Sequence, residues 1–99
     1  MKTKKSNELN YDRVNELISY NKRTGQFFWA LRDNRKINAI KLKHDFITGH
    51  PQICIDGRYY HAKDIAYLLI IKNMPVEEIK VRDKNKYNLR WTNFIQIQR

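Results

Sequence analysis

Asp56-Gly57 stands between two short runs, "QICI" and "RYY", whose residues favour extended backbone. An Asp-Gly pair suits the two-residue type I′ turn, which requires positive φ at both central positions and matches the twist of antiparallel strands. The stretch predicts a β-hairpin with strands at about 51–55 and 58–61. The next residues change period. "HAKDIAYLLIIKN" places Ile65, Leu68, Leu69 and Ile70 on one wide apolar face, the pattern of an amphipathic helix. Pro75 lies beyond its end, where a helix has to have stopped.

The rest of the chain is read around this hairpin and helix. Residues 1–8 are polar and basic and are expected to fray. Asn10 is a helix N-cap candidate, and Val14, Leu17 and Ile18 follow at i, i+3, i+4 spacing. "NKRTGQ" breaks that helix, with Gly25 suited to a turn into the extended run "QFFWAL". Phe27 and Trp29 alternate onto one face and read as core. "RDNRKINAIKLKHD" reads as a basic loop with one short extended piece. "VEEIKVR" is extended, "DKNKYN" a polar turn, and "LRWTNFIQI" a short last helix anchored by Trp91. The expected class is α+β. Its parts are a small three-stranded antiparallel sheet, helices and a terminal β–α piece. One domain spans 9–99, divided into a sheet-and-helix part (10–75) and a terminal part (76–99).

Charge narrows the partners. The 99 residues carry 20 Lys and Arg against 10 Asp and Glu, a formal charge of +10. Residues 1–50 hold 11 basic and 5 acidic side chains, and residues 51–99 hold 9 and 5. The excess therefore belongs to the folded body, and a polyanion is the partner to expect. The single cysteine, Cys54, excludes an internal disulfide, suggests a reducing compartment and reads as a small core residue. The N-terminus lacks an apolar signal core, and "IAYLLII" is too short to span a bilayer. A soluble intracellular protein without a membrane partner is the expectation.

Four pieces in order carry a resemblance. They are "SYNKRTGQFFW" (19–29), "IDGR" (55–58), "AKDIAYLLIIKNMP" (62–75) and "IKVRDKNKYNLRWTNF" (79–94). Together they resemble the small HNH endonucleases common in bacteriophage genomes, which join a three-stranded sheet and a helix to a terminal ββα-metal motif. The last family piece runs like "IDHINGDKSDNRIENL", the same length as residues 79–94. The resemblance implies an HNH-like fold. In such nucleases a histidine is general base toward water, and an acid and an Asn or His hold a Mg²⁺-like ion.

Carried onto this chain, the metal-binding acid falls on Lys80, the base on Val81 and the middle Asn on Leu89. Only the last Asn is kept, as Asn93. Lys80 adds a positive charge where a cation would sit, and Val81 accepts no proton. The resemblance thus implies the fold and argues against catalysis: no catalytic residue, no metal and no cofactor are expected. His44, His50 and His61 lie outside the matched motif and lack helical metal spacing. Asp83 and Asn85 read as turn chemistry rather than a cation site.

The replacements point toward phosphate instead. Lys80, Arg82, Lys84, Lys86 and Arg90 face a single acid, Asp83, within one short stretch. A second basic group, Arg32, Arg35, Lys36, Lys41 and Lys43, lies beside the expected sheet, and Arg32, Asn34 and Arg35 are the candidates for groove contact. Sheets of this kind resemble the plant ethylene-response DNA-binding domain, which lays its sheet in the major groove. There Arg and Asn side chains suit bidentate base contacts. The leading expectation is a catalytically inactive, HNH-like phage protein that binds double-stranded DNA in the cytoplasm of an infected bacterial host, as a regulator. Two alternatives stand beside it. One is a phage inhibitor or host-takeover factor directed at a host protein that acts on nucleic acid. The other is an active nuclease with a rearranged metal centre.

Overall fold

The computed structural model describes residues 9–30 and 38–95. The fold is α+β, with two helices and antiparallel sheets. Helix α1 spans Tyr11–Leu17 and is capped by Asn10, whose side chain accepts the Arg13 amide N–H at 2.9 Å. It ends earlier than its apolar spacing suggests. Ile18 is extended, at φ −136°, and begins strand β1, Ile18–Asn21, which pairs with β2, Gln26–Trp29. Ile18 is buried all the same. The i, i+4 pattern was met by a helix end running into a strand, because the residue after a helix end still faces the side its last turn faces.

Asn21 closes the β1–β2 turn. Its side-chain oxygen accepts the Arg23 and Thr24 amides, and its carbonyl accepts Gly25 N–H at 2.7 Å. A two-residue strand, β3 (Asn38–Ala39), completes this first three-stranded sheet in the order β1-β2-β3.

The second sheet contains the expected hairpin. Strand β4 (Lys43–His44) pairs with β5 (Pro51–Ile55), and β5 pairs with β6 (Arg58–His61). Asp56 and Gly57 both adopt positive φ, 52° and 84°, as the sequence demands. One three-stranded sheet was expected, and a second accompanies it. Pro51, Ile53 and Ile55 point inward, so Gln52 and Cys54 point outward. Cys54 is therefore exposed, not core as its apolar neighbours suggested, because strand alternation overrides composition.

Helix α2, Ala62–Ile71, lays Ala62, Ile65, Ala66 and Leu68 on the core. Lys72 ends it in the left-handed conformation and donates its N–H to Leu68 O at 2.8 Å. Lys63 is buried with this face, only 3% exposed. Its ammonium donates to Ile79 O at 2.7 Å and lies 3.3 Å from Glu78 Oε2, which ties α2 to the C-terminal segment.

That segment forms a ribbon of β7 (Lys80–Val81) and β8 (Phe94–Ile95). The last helix expected over "LRWTNFIQI" does not form among the described residues. A single 3₁₀ turn, Trp91–Asn93, leads straight into β8. Trp91 does pack inward, against Tyr67 and edge-on to Phe94. One apolar cluster runs from Val14 through Ile18, Phe27, Ile53 and Ile65 to Leu89 and Phe94, with Trp29 packed against it. No helix among the described residues is long and apolar enough to cross a membrane.

Candidate nucleic-acid interface

Residues 82–93 form a loop held by its own Asn and Asp side chains. Asp83 Oδ1 accepts the Asn85 amide at 3.0 Å, and Asn85 Oδ1 accepts the Tyr87 amide at 2.9 Å. Asn88 Nδ2 donates to Asp83 Oδ2 at 2.8 Å. Asn93 links the two ends of the loop. Its Oδ1 accepts Asp83 N–H at 3.2 Å, and its Nδ2 donates to Asp83 Oδ1 at 3.3 Å and to Asn88 O at 2.8 Å. These bonds, chiefly the one from Asn88, hold the Asp83 carboxyl below the usual carboxylate range. "DKN" is thus turn chemistry, as the sequence implied.

Leu89 and Trp91 turn inward to the core, and the basic side chains face outward. Lys80, Arg82, Lys84, Lys86 and Arg90 are all exposed. Hydrogen bonds to backbone carbonyls steady three of them. Arg82 Nε donates to Thr92 O at 3.1 Å, Arg90 Nε donates to Arg23 O at 3.1 Å, and Lys86 Nζ donates to Thr48 O. The loop is seated on the β1–β2 turn: Trp91 N–H donates to Lys22 O at 3.0 Å, and Tyr20 Oη donates to Leu89 O. Burial pushes the Tyr20 phenol up, so it remains a donor.

This seating adds two cations that the sequence reading missed. Lys22 and Arg23, both exposed, stand beside Arg90 although 67 residues separate Arg23 from it. The basic turn "NKRTG" was visible, but nothing local placed it against the C-terminal loop. Lys41 and Lys43 are exposed and line a separate depression with Cys54 and Tyr59, on the outer face of the second sheet. Arg32, Asn34, Arg35 and Lys36 lie outside the described residues. None of Lys22, Arg23, Lys41, Lys43, Lys80, Arg82, Lys84, Lys86 and Arg90 forms an ion pair with an acid among the described residues. Asp83 is engaged within the loop, and Glu78 with Lys63 and His50.

The positions aligned with a nuclease centre are used differently here. Lys80 points to solvent, Val81 and Leu89 pack against or within the core, and Asn93, 7% exposed, spends its amide on the loop. Among the described residues no group of three or more His, Cys, Asp or Glu side chains converges as a metal site. His50 and His61 do meet, ring centroids 5.0 Å apart, with Asp45 at 3.6 Å from His61 and Glu78 at 4.0 Å from His50. His44 is exposed, edge-on to Phe46. No protein-family model, curated protein or solved structure matches the chain. The likeness to HNH nucleases therefore rests on the residues quoted above.

Proposed function

We propose that this protein binds double-stranded DNA through its C-terminal loop and the β1–β2 turn, and does not cleave it. The carrying observation is the gathering of Lys22, Arg23, Lys80, Arg82, Lys84, Lys86 and Arg90, with no ion-pairing acid among the described residues, around a loop pinned at Arg23 and Thr48 and cross-bonded within itself from Arg82 to Thr92. Exposed cations without an acidic partner neutralise phosphates and release counterions, and a loop already held in place lowers the ordering cost. Cleavage is not expected, because the positions that resemble a nuclease centre offer a lysine, a valine and an amide already bonded within the loop. On this reading the protein acts by occupying DNA, as a regulator in an infected bacterial cell.

Fluorescence anisotropy with a mixed-sequence duplex across a salt series, Mg²⁺ present and the DNA then run on a gel, tests it. Intact DNA bound with an affinity that falls steeply with salt is expected, at about 0.9 in log–log slope per phosphate neutralised. Lys84→Ala with Arg90→Ala is expected to lower the slope by about one per residue. Cleaved DNA that chelation protects overturns the inactive reading in favour of a rearranged nuclease centre. Absence of binding at low salt overturns DNA binding and turns attention to a host protein target.

A further inference from the structure

The turn between β4 and β5 presents Phe46 and Ile47 side by side, 93% and 92% exposed. Large apolar side chains seldom stand this far out in pairs, and when they do they mark a contact. The turn beneath them is firmly built. Asp45 N–H donates to His50 O at 2.9 Å, and Gly49 N–H donates to Asp45 O at 2.7 Å. Asp45 Oδ1 accepts the Ile47 and Thr48 amides at 2.8 and 3.4 Å, and His50 N–H donates to Thr48 Oγ1 at 3.2 Å. The polar groups of the turn are spent on the turn itself, and its two apolar side chains are held out.

The surroundings are basic. Lys43 lines the same depression as Phe46, Ile47 and Tyr59. On the other side Lys86 donates to the carbonyl of Thr48, the residue after Ile47. Neither lysine has an acidic partner among the described residues. Asp45, the one acid of the turn, is occupied by two backbone amides and stands beside His61. A narrow apolar tip framed by cations fits a ligand with phosphates outside and flat apolar faces between. Proteins that kink duplex DNA insert such tips between base steps, unstacking them, while flanking cations hold the strands. Elements that bind bilayers present a long apolar face instead.

We infer that Phe46 and Ile47 are a wedge that enters a base step and kinks the duplex gripped by the C-terminal loop. The inference rests on the DNA-binding reading and adds a deformation that phosphate contact alone does not supply. Flexible pyrimidine–purine steps are its preferred sites, since they unstack most easily.

The test uses the full chain and a duplex labelled at both ends for energy transfer. It carries 2-aminopurine beside a central TA step, and anisotropy is read in parallel. The wild-type protein is expected to shorten the end-to-end distance, as a bend within about 20–90° does, and to raise 2-aminopurine emission. Phe46→Ser with Ile47→Ser, both at solvent-exposed positions, is expected to abolish both signals. It should weaken binding about tenfold, with the salt slope unchanged and the circular dichroism of the folded protein retained. Binding by the wild type with neither signal overturns the wedge and leaves DNA binding standing. Signals that persist in the double variant also overturn it. No duplex binding at all overturns both readings. Uptake by phosphatidylserine-containing vesicles in that case would assign the tip to an anionic bilayer.

Discussion

Asn93 illustrates at the residue scale how a buried polar side chain can serve structure. It is buried, and all of its hydrogen-bonding capacity toward Asp83 and Asn88 is spent closing one loop. Its truncation leaves the Asp83 amide and the Asn88 carbonyl without their partner. Asn93→Ala is expected to cost about 1–3 kcal/mol in urea denaturation, the range for orphaned polar groups. Asp83→Ala breaks the same network, so the double variant should lose less than the two single losses added. Independent, additive losses would show that the two residues do not act through a shared network. In the sequence Asn93 stood out only through a resemblance, and nothing local announced its structural part. Its bonds to residues 5 and 10 positions away come from the loop's path, which no local pattern encodes.

Among the elements, two tight turns contrast in what they ask of glycine. Gly57 closes the β5–β6 hairpin at φ +84° with open space where a Cβ would stand. Gly25 closes the β1–β2 turn at φ +82°, but a Cβ there would lie 2.6 Å from the Leu89 carbonyl carbon and 2.7 Å from the Arg90 nitrogen. Gly57→Ala should therefore cost about 1–2 kcal/mol, the penalty of a left-handed L-residue. Gly25→Ala adds a backbone clash and should cost roughly 1–3 kcal/mol more, as overpacking does. Its effect should extend to DNA affinity, because the displaced residues carry Arg90. Equal losses of stability at the two sites would contradict this account. Asp-Gly was readable because its signal is local. The strand beginning at Ile18 was not, because its apolar residues suit a helix face equally and only pairing with Gln26–Trp29 decides between them.

At the scale of the whole molecule, His50 gathers charges from several parts of the chain. Its ring lies 5.0 Å from that of His61 of β6 and 4.0 Å from Glu78 ahead of β7, within the field of Lys63 of α2 and Lys86 of the C-terminal loop. Burial comes first in holding its pKa below the usual 6.5, Lys63, His61 and Lys86 add to this, and Glu78 opposes it. The unfolded chain therefore binds a proton that the folded chain resists. The stability contribution of His50 is full above pH 6.5 and is lost as pH falls toward its lowered folded value. Asp45, Asp56, Asp83 and Glu78 have depressed pKa values and lose their contributions only at lower pH, below their ordinary 3.8 and 4.5. Asp64, raised by burial, acts in the opposite sense and is common to wild type and variant. Thermal melts at pH 7.5 and 5.5 should show the wild type losing more stability than His50→Gln. Equal losses would mean that His50 carries none of the acid sensitivity.

The sequence by itself determined the α+β class, the Asp56-Gly57 hairpin, helix α2 and the basic character of residues 80–90. Each is set by a short-range rule: positive φ, a helical apolar face, or a run of charge. The tertiary structure decided the rest. It turned Cys54 outward through strand alternation and buried Lys63 against Ile79. It joined Lys22 and Arg23 to Arg90 and set Phe46 and Ile47 beside the basic loop by one bond from Lys86 to Thr48. Those juxtapositions depend on which segments pack across tens of residues, and the free energy that selects them belongs to the shared core rather than to any stretch that could be read alone.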